Sequence, residues 1–211
     1  MGDAFDIGAP VLCSDGPCGT LSCVVVDPVR RAVTHVIVDP EHSPGQGRLV
    51  PVELVGREGA GLCLSCSMAD FDELEFAEET QFVSPTGEEL GYGEGEALNW
   101  PYYGLGMDMG AREMADAPRA YFASRVPAGK VEVRRGERVH AADGDFGRVH
   151  GFVVDAGDHH ITHLLLDEGR LWGRKTVAVP MSTVKSVDIE GVTLAATKDE
   201  LKALPQVDVN A

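Results

Sequence analysis

Five cysteines and seven histidines are the residues of this 211-residue chain with the most to offer chemically. All the thiols lie early, at Cys13, Cys18, Cys23, Cys63 and Cys66, and Cys63-x-x-Cys66 has the spacing of a zinc or redox pair, with the other three as further candidate ligands. Against a metal centre, residues 62–66 read as a strand whose alternate side chains point apart, whereas a zinc pair sits on a tight turn. His35 and His163 each follow a threonine and precede an aspartate by four residues. An isolated strand histidine of this kind is expected to be half-buried and hydrogen-bonded rather than a base. His159 and His160 fall with Asp158 in a turn expected to be solvated, and Asp27, Asp39, Asp155 and Asp167 are expected to end strands and accept turn N–H groups. The sequence has no Gly-rich phosphate loop ending in Lys-Ser/Thr, no Gly-x-Ser-x-Gly elbow and no His-Glu-x-x-His. The expectation is a protein with no catalytic residues, no cofactor and no metal, with Cys63 and Cys66 the weak exceptions.

The elements that would position these residues come in two copies. Shifting the chain by 128 places aligns Val11 with Val139, Asp15-Gly16 with Asp143-Gly144, Gly19 with Gly147, Asp27 with Asp155 and Thr34-His35 with Thr162-His163. After one inserted residue Val50-Pro51 meets Val179-Pro180, and each copy closes on a Glu-Leu pair, Glu73-Leu74 or Glu200-Leu201. The cysteine positions are not shared: the second copy has Ala141, Phe146, Gly151, Thr193 and Ala196 in their places. Valine-rich segments separated by turn residues predict strands, and Asp15-Gly16 and Asp143-Gly144 predict hairpin turns, with Gly19 and Gly147 as further turn positions. Ser67-x-x-Asp70 and Thr197-x-x-Glu200 predict a capping box at the start of one short helix per copy. About 70 residues of short strands is a size at which barrel closure removes the exposed sheet edges.

The Val11 to Asp15-Gly16-x-x-Gly19 segment, the Val-Val-Asp27 ending, the Thr34-His35 strand and the Val50-Pro51 step resemble a PRC-barrel domain. That β-barrel is named after the cytoplasmic part of the photosynthetic reaction-centre H subunit and also forms the C-terminus of the ribosome maturation factor. The resemblance implies an all-β fold with small α content, two tandem PRC-like barrels, and a docking role in place of catalysis. The expected organisation is repeat 1 over 5–78, an acidic Gly/Pro-rich linker with an aromatic cluster over 79–130, repeat 2 over 131–205 and a tail over 206–211.

Charge singles out the linker. With 34 acidic and 18 basic residues the net charge is −16, and the stretch from Glu58 to Ala111, which has twelve acids and no Lys or Arg, carries −12 of it. A surface this negative repels phosphate backbones, so no direct nucleic-acid partner is expected. Apolar runs fall far short of the ~20 residues of a membrane span. No export signal opens the sequence, so the cytoplasm is the expected compartment. Within the linker, Trp100, Tyr102, Tyr103 and Leu105 form an apolar knot that either folds back onto a barrel or anchors a protein partner. The functional expectation is a scaffold or protein–protein interaction protein, with a possible homodimer. A ribosome-assembly assistant and a metal or redox sensor using the cysteines of repeat 1 are the alternatives.

Overall fold

The computed structural model describes residues 2–42, 46–58, 61–83, 119–168, 175–188 and 190–205. In the first repeat the strands are β1 (Gly2–Asp6), β2 (Pro10–Cys13), β3 (Gly16–Asp27), β4 (Ala32–Pro40), β5 (Arg48–Pro51), β6 (Val55–Glu58) and β7 (Gly61–Leu64), followed by helix α1 (Met68–Glu73). A hairpin of β8 (Glu78–Val83) and β9 (Arg119–Ser124) comes next. The second repeat has β10 (Val131–Arg134), β11 (Arg138–Ala141), β12 (Gly144–Asp155), β13 (Ile161–Glu168), β14 (Lys175–Pro180), β15 (Val184–Asp188), β16 (Gly191–Leu194) and α2 (Lys198–Lys202). The fold is all-β with two short helices. No helix among the described residues is long and apolar enough to cross a membrane.

The repeat read from the sequence recurs in the pairing. One sheet runs β5-β4-β3-β2-β7-β6 and the other β14-β13-β12-β11-β16-β15, and both contain one parallel pair, β2 with β7 and β11 with β16. Bulges fall at matching places, between Leu21 and Cys23 and between Val149 and Gly151. Pro51 and Pro180 end β5 and β14, where a missing N–H is tolerated, and a 3-10 turn then carries the chain to the other end of each sheet and curls it into a half-barrel. Valines fill β3 because it is buried on both faces: Val24 and Val26 join the main core while Cys23 and Val25 join a smaller one with Ile37, Leu49 and Ala77.

The barrels are not self-contained. β1 pairs with β12 of the second repeat, from Gly2 opposite Asp155 to Asp6 opposite Gly151, and β10 pairs with β3 of the first, from Val131 opposite Val26 to Arg134 opposite Cys23. Each repeat thus lends its first strand to the other, and each sheet has seven strands. One core cluster accordingly joins Phe5, Leu21 and Phe71 with Phe152, Leu164 and Leu201. The chain divides into two compact units, Met1–Ala77 with Arg125–Ala211, and Glu78–Ser124. Both repeats belong to the first of these units.

Three local expectations change. The hairpin turns are Ser14-Asp15 and Ala142-Asp143, and the glycines that follow open β3 and β12 with positive φ, 121° at Gly144. The aspartates serve the helices: Asp15 accepts the Met68 N–H at 2.8 Å and Asp143 that of Lys198 at 2.9 Å. Gly19 and Gly147 lie within β3 and β12 and not in turns; a Cβ on Gly19 would come within 2.1 Å of the Asp39 carbonyl oxygen. Both capping boxes form, at Ser67 and Thr197, which sets Phe71 equivalent to Leu201, the buried residue of each helix. The Glu-Leu pairs are therefore offset from each other by one helical turn.

Candidate functional site

The polar side chains that sequence spacing could not bring together meet along the seam between the repeats. Arg31 and His159, equivalent residues, both adopt positive φ (54° and 58°) and form matching backbone bonds: Val33 N–H to His159 O at 3.0 Å and Ile161 N–H to Arg31 O at 2.8 Å. The segment 159–160, expected to be a solvated turn, is thus part of the bridge, with Ala32 opposite His160. The Arg31 guanidinium also donates to the carbonyls of Met181 and Val184, each at 3.3 Å.

Asp27 is the buried carboxylate of this seam. It accepts the Val29 and Arg30 N–H groups, both at 2.9 Å, and the Lys130 ammonium at 2.5 Å. The lysine first, then the turn amides, hold its carboxyl down at about 2. Asp155 caps its own turn in the same way through the Gly157 N–H. At the other junction His150 lies between two carboxylates, its Nδ1 3.1 Å from Asp167 and its Nε2 3.6 Å from Asp6. Arg135 reaches the same ring at 3.2 Å and donates to the Ile7 carbonyl at 2.9 Å, while the Thr176 hydroxyl donates to Asp167 at 3.1 Å. An imidazole between carboxylates has the parts of an acid–base relay, but its ring nitrogens face Asp6 of β1, Asp167 of β13 and Arg135, groups that tie these segments to β12. The arrangement works as a clamp. Asp6 carries no spacing signal, because only the exchanged strand makes it a neighbour of His150, whereas Asp167 and Thr176 face each other across β13 and β14 within the second repeat.

The cysteines regroup. Cys13 interacts with both Cys18 and Cys66, and the three thiols lie in or against the main core. Cys63 is apart from them, on the outer face of β7 with its Sγ toward Gly56, so Cys63 and Cys66 do not form a pair. Among the described residues no group of three His, Cys, Asp or Glu is placed to hold a metal ion. Burial pushes the thiols of Cys13 and Cys23 up to about 12 and that of Cys66 to about 11, which makes them poor nucleophiles. His35 and His163 are half-buried and lie opposite Pro51 and Pro180; their neighbours Thr34 and Thr162 donate to the carbonyls of Val25 and Val153. Burial lowers the His35 pKa.

The acidic segment leaves the barrels at a single point. Residues 75–77 add to the edge of β5 through Leu49 N–H to Glu75 O and Ala77 N–H to Gly47 O, both 2.8 Å, and the Arg48 guanidinium stacks 3.9 Å above the Phe76 ring. Arg125 N–H then donates to Ala77 O at 2.8 Å, so the chain returns where it left. Between them β8 and β9 pair from Glu78 opposite Ser124 to Val83 opposite Arg119. Trp100, Tyr102, Tyr103 and Leu105 lie outside the described residues.

These features define a class: a duplicated small β-barrel whose halves are joined by exchanged strands, a shared core and a few charged side chains, Asp27 with Lys130, Arg31, and His150 with Asp6. Residues 135–201 match the family model of the PRC-barrel domain, and the second repeat is a PRC-barrel domain. The first repeat has the same strand order. A comparison with curated proteins finds no match.

Proposed function

We propose that this protein is a non-catalytic scaffold or protein–protein interaction protein, in which a two-repeat PRC-barrel body carries the acidic segment 78–124 as its binding arm. The observation that carries this reading is the closure at Ala77 and Arg125, 2.8 Å apart, from which the arm's stem β8–β9 starts. An insertion whose ends meet leaves the host fold undisturbed, so its sequence is free to be selected for binding. Its acidity and its Trp100, Tyr102, Tyr103 and Leu105 suit a protein partner with basic and apolar surface. The polar groups at the seam, Asp27 with Lys130 and His150 with Asp6 and Asp167, are engaged in holding strands together, which supports a body that presents a site over one that does chemistry.

The test is a quantitative pull-down from native cell lysate with wild type and a variant in which Trp100, Tyr102 and Tyr103 are all alanine. Loss of one or a few proteins with the aromatics supports the reading. Equal capture by both forms sinks it, and if the retained proteins are ribosomal the assembly-assistant role implied by the PRC resemblance takes its place.

A further inference from the structure

Three of the five thiols gather at one end of the first repeat, and the second repeat has none in the same place. Cys13 of β2 and Cys18 of β3 are buried in the main core, and Cys66, half-buried just before α1, packs against the same cluster. The Cys13 thiol is in hydrogen-bonding contact with those of Cys18 and Cys66, while Cys18 Sγ also donates to the Val11 carbonyl at 3.3 Å. The second repeat holds Ala141, Phe146 and Ala196 at these positions. Its backbone is arranged alike: Ser14 N–H donates to Cys66 O at 3.0 Å, and Ala142 N–H to Ala196 O at 2.9 Å. Two alanines and a phenylalanine satisfy the fold there, so packing alone does not require sulfur.

The placement suits a covalent bond between two of the three. A disulfide needs Cα atoms about 4.4–6.8 Å apart, and the direct backbone bond from residue 14 to residue 66 brings the Cα atoms of Cys13 and Cys66 into that range. Both side chains turn to the same core cluster. Cys66 is also the member of the trio that solvent reaches, whereas Cys18 is buried with its Sγ on a carbonyl.

We propose that Cys13 and Cys66 are a latent disulfide pair, which a low-molecular-weight disulfide converts into a staple between β2 and the residues that start α1. The Cys66 thiolate attacks one sulfur of glutathione disulfide and expels a glutathione thiolate, leaving a mixed disulfide. The Cys13 thiolate then attacks the Cys66 sulfur and expels the second glutathione. Two protein thiols give up two electrons and two protons, and one glutathione disulfide becomes two glutathione thiols. Burial keeps both cysteines protonated near neutral pH, so the staple forms slowly, and as its two sulfurs are poor leaving groups it resists reduction once made. The bond closes the long loop between β2 and α1. This pair lies in the barrel body and does not rest on the acidic arm.

The test is incubation of the reduced full chain with glutathione disulfide at pH 8.5, followed by peptide mass mapping and urea unfolding. Cleavage before aspartates places Cys13 in 6–14, Cys18 in 15–26 and Cys66 in 39–69, and a Cys63→Ala variant removes the other thiol of that last peptide. The expected product is 6–14 joined to 39–69, in wild type and in Cys63→Ala alike, with a raised urea midpoint because the bond constrains the unfolded chain. Cys13→Ala with Cys66→Ala copies the second repeat's alanines and is expected to fold and to show no rise. Should that double variant fail to fold, Cys66→Ala alone, at the half-buried position, serves in its place. Mixed disulfides with glutathione as the only products, a bond from Cys13 to Cys18, loss of the linked peptide in Cys63→Ala, or an unchanged midpoint in the linked protein overturns the proposal.

Discussion

Asp27 illustrates how a single carboxylate ties two distant parts of the chain together. Its pKa is depressed in the folded protein by Lys130 and the turn amides, so its contribution to stability is complete above the ordinary aspartate range near 4 and is lost as pH falls toward about 2. Asp27→Asn is therefore expected to lower the urea midpoint at pH 7 and to have little effect at pH 2. An equal loss at both pH values would show that the pair with Lys130 is not what the carboxylate provides. The thiols make the converse point. Burial raises Cys13 to about 12, leaving so little thiolate at neutral pH that alkylation of Cys13 is expected to be at least about a hundredfold slower than that of a free peptide thiol. Rapid labelling of Cys13 in the folded protein, read by peptide mass mapping, would contradict this.

Among the elements, the exchanged strand β1 depends on one small residue opposite it. A Cβ at Gly151 would lie 2.2 Å from the Phe5 carbonyl oxygen, and because that neighbour is backbone it cannot swing aside. Gly151→Ala is expected to push β1 away from β12 and to destabilise the protein by about 2 kcal/mol or more, as overpacking does in a tight core. The check is urea unfolding together with amide exchange of residues 2–6: unchanged stability would mean that the two strands can separate without loss. The short helices are secured differently, each by a capping box and by an aspartate from the β2–β3 or β11–β12 turn, so they are fixed to their sheets at their first residue.

At the scale of the molecule, reciprocal strand exchange and one shared core make the repeats mutually dependent. Cleavage at an engineered protease site within residues 84–118 should leave residues 1–83 and 119–211 bound to each other, eluting as one species and unfolding in one transition. Two separately eluting pieces would show that each repeat completes its own barrel. This mutual completion also explains how the acidic arm can be long: the barrels are joined by their own strands and core, and the covalent connection through 78–124 need not set their arrangement.

Much of this was legible in the residues themselves. The 128-place repeat, the valine strands, both capping boxes and the proline strand ends are local signals, written in neighbouring side chains that act over one turn or one strand. The Asp27 turn cap belongs with them, since its amide donors lie two and three residues on. What the spacing could not carry is the partner of each first strand. Residues 2–6 and 131–134 have the same alternating pattern whether they pair at home or across the seam, because an antiparallel edge accepts any strand of suitable register. That choice belongs to the tertiary structure, and with it come His150 between Asp6 and Asp167, Lys130 on Asp27, and Arg31 on the carbonyls of Met181 and Val184. The cysteines follow the same logic. Cys63 and Cys66 are near in sequence, but strand alternation and the turn into α1 separate them, while closure of the barrel brings Cys66 to Cys13. Sequence sets what each strand can pair with through its local pattern, and only packing decides which of the available edges it takes, because that decision is made by the core buried between them.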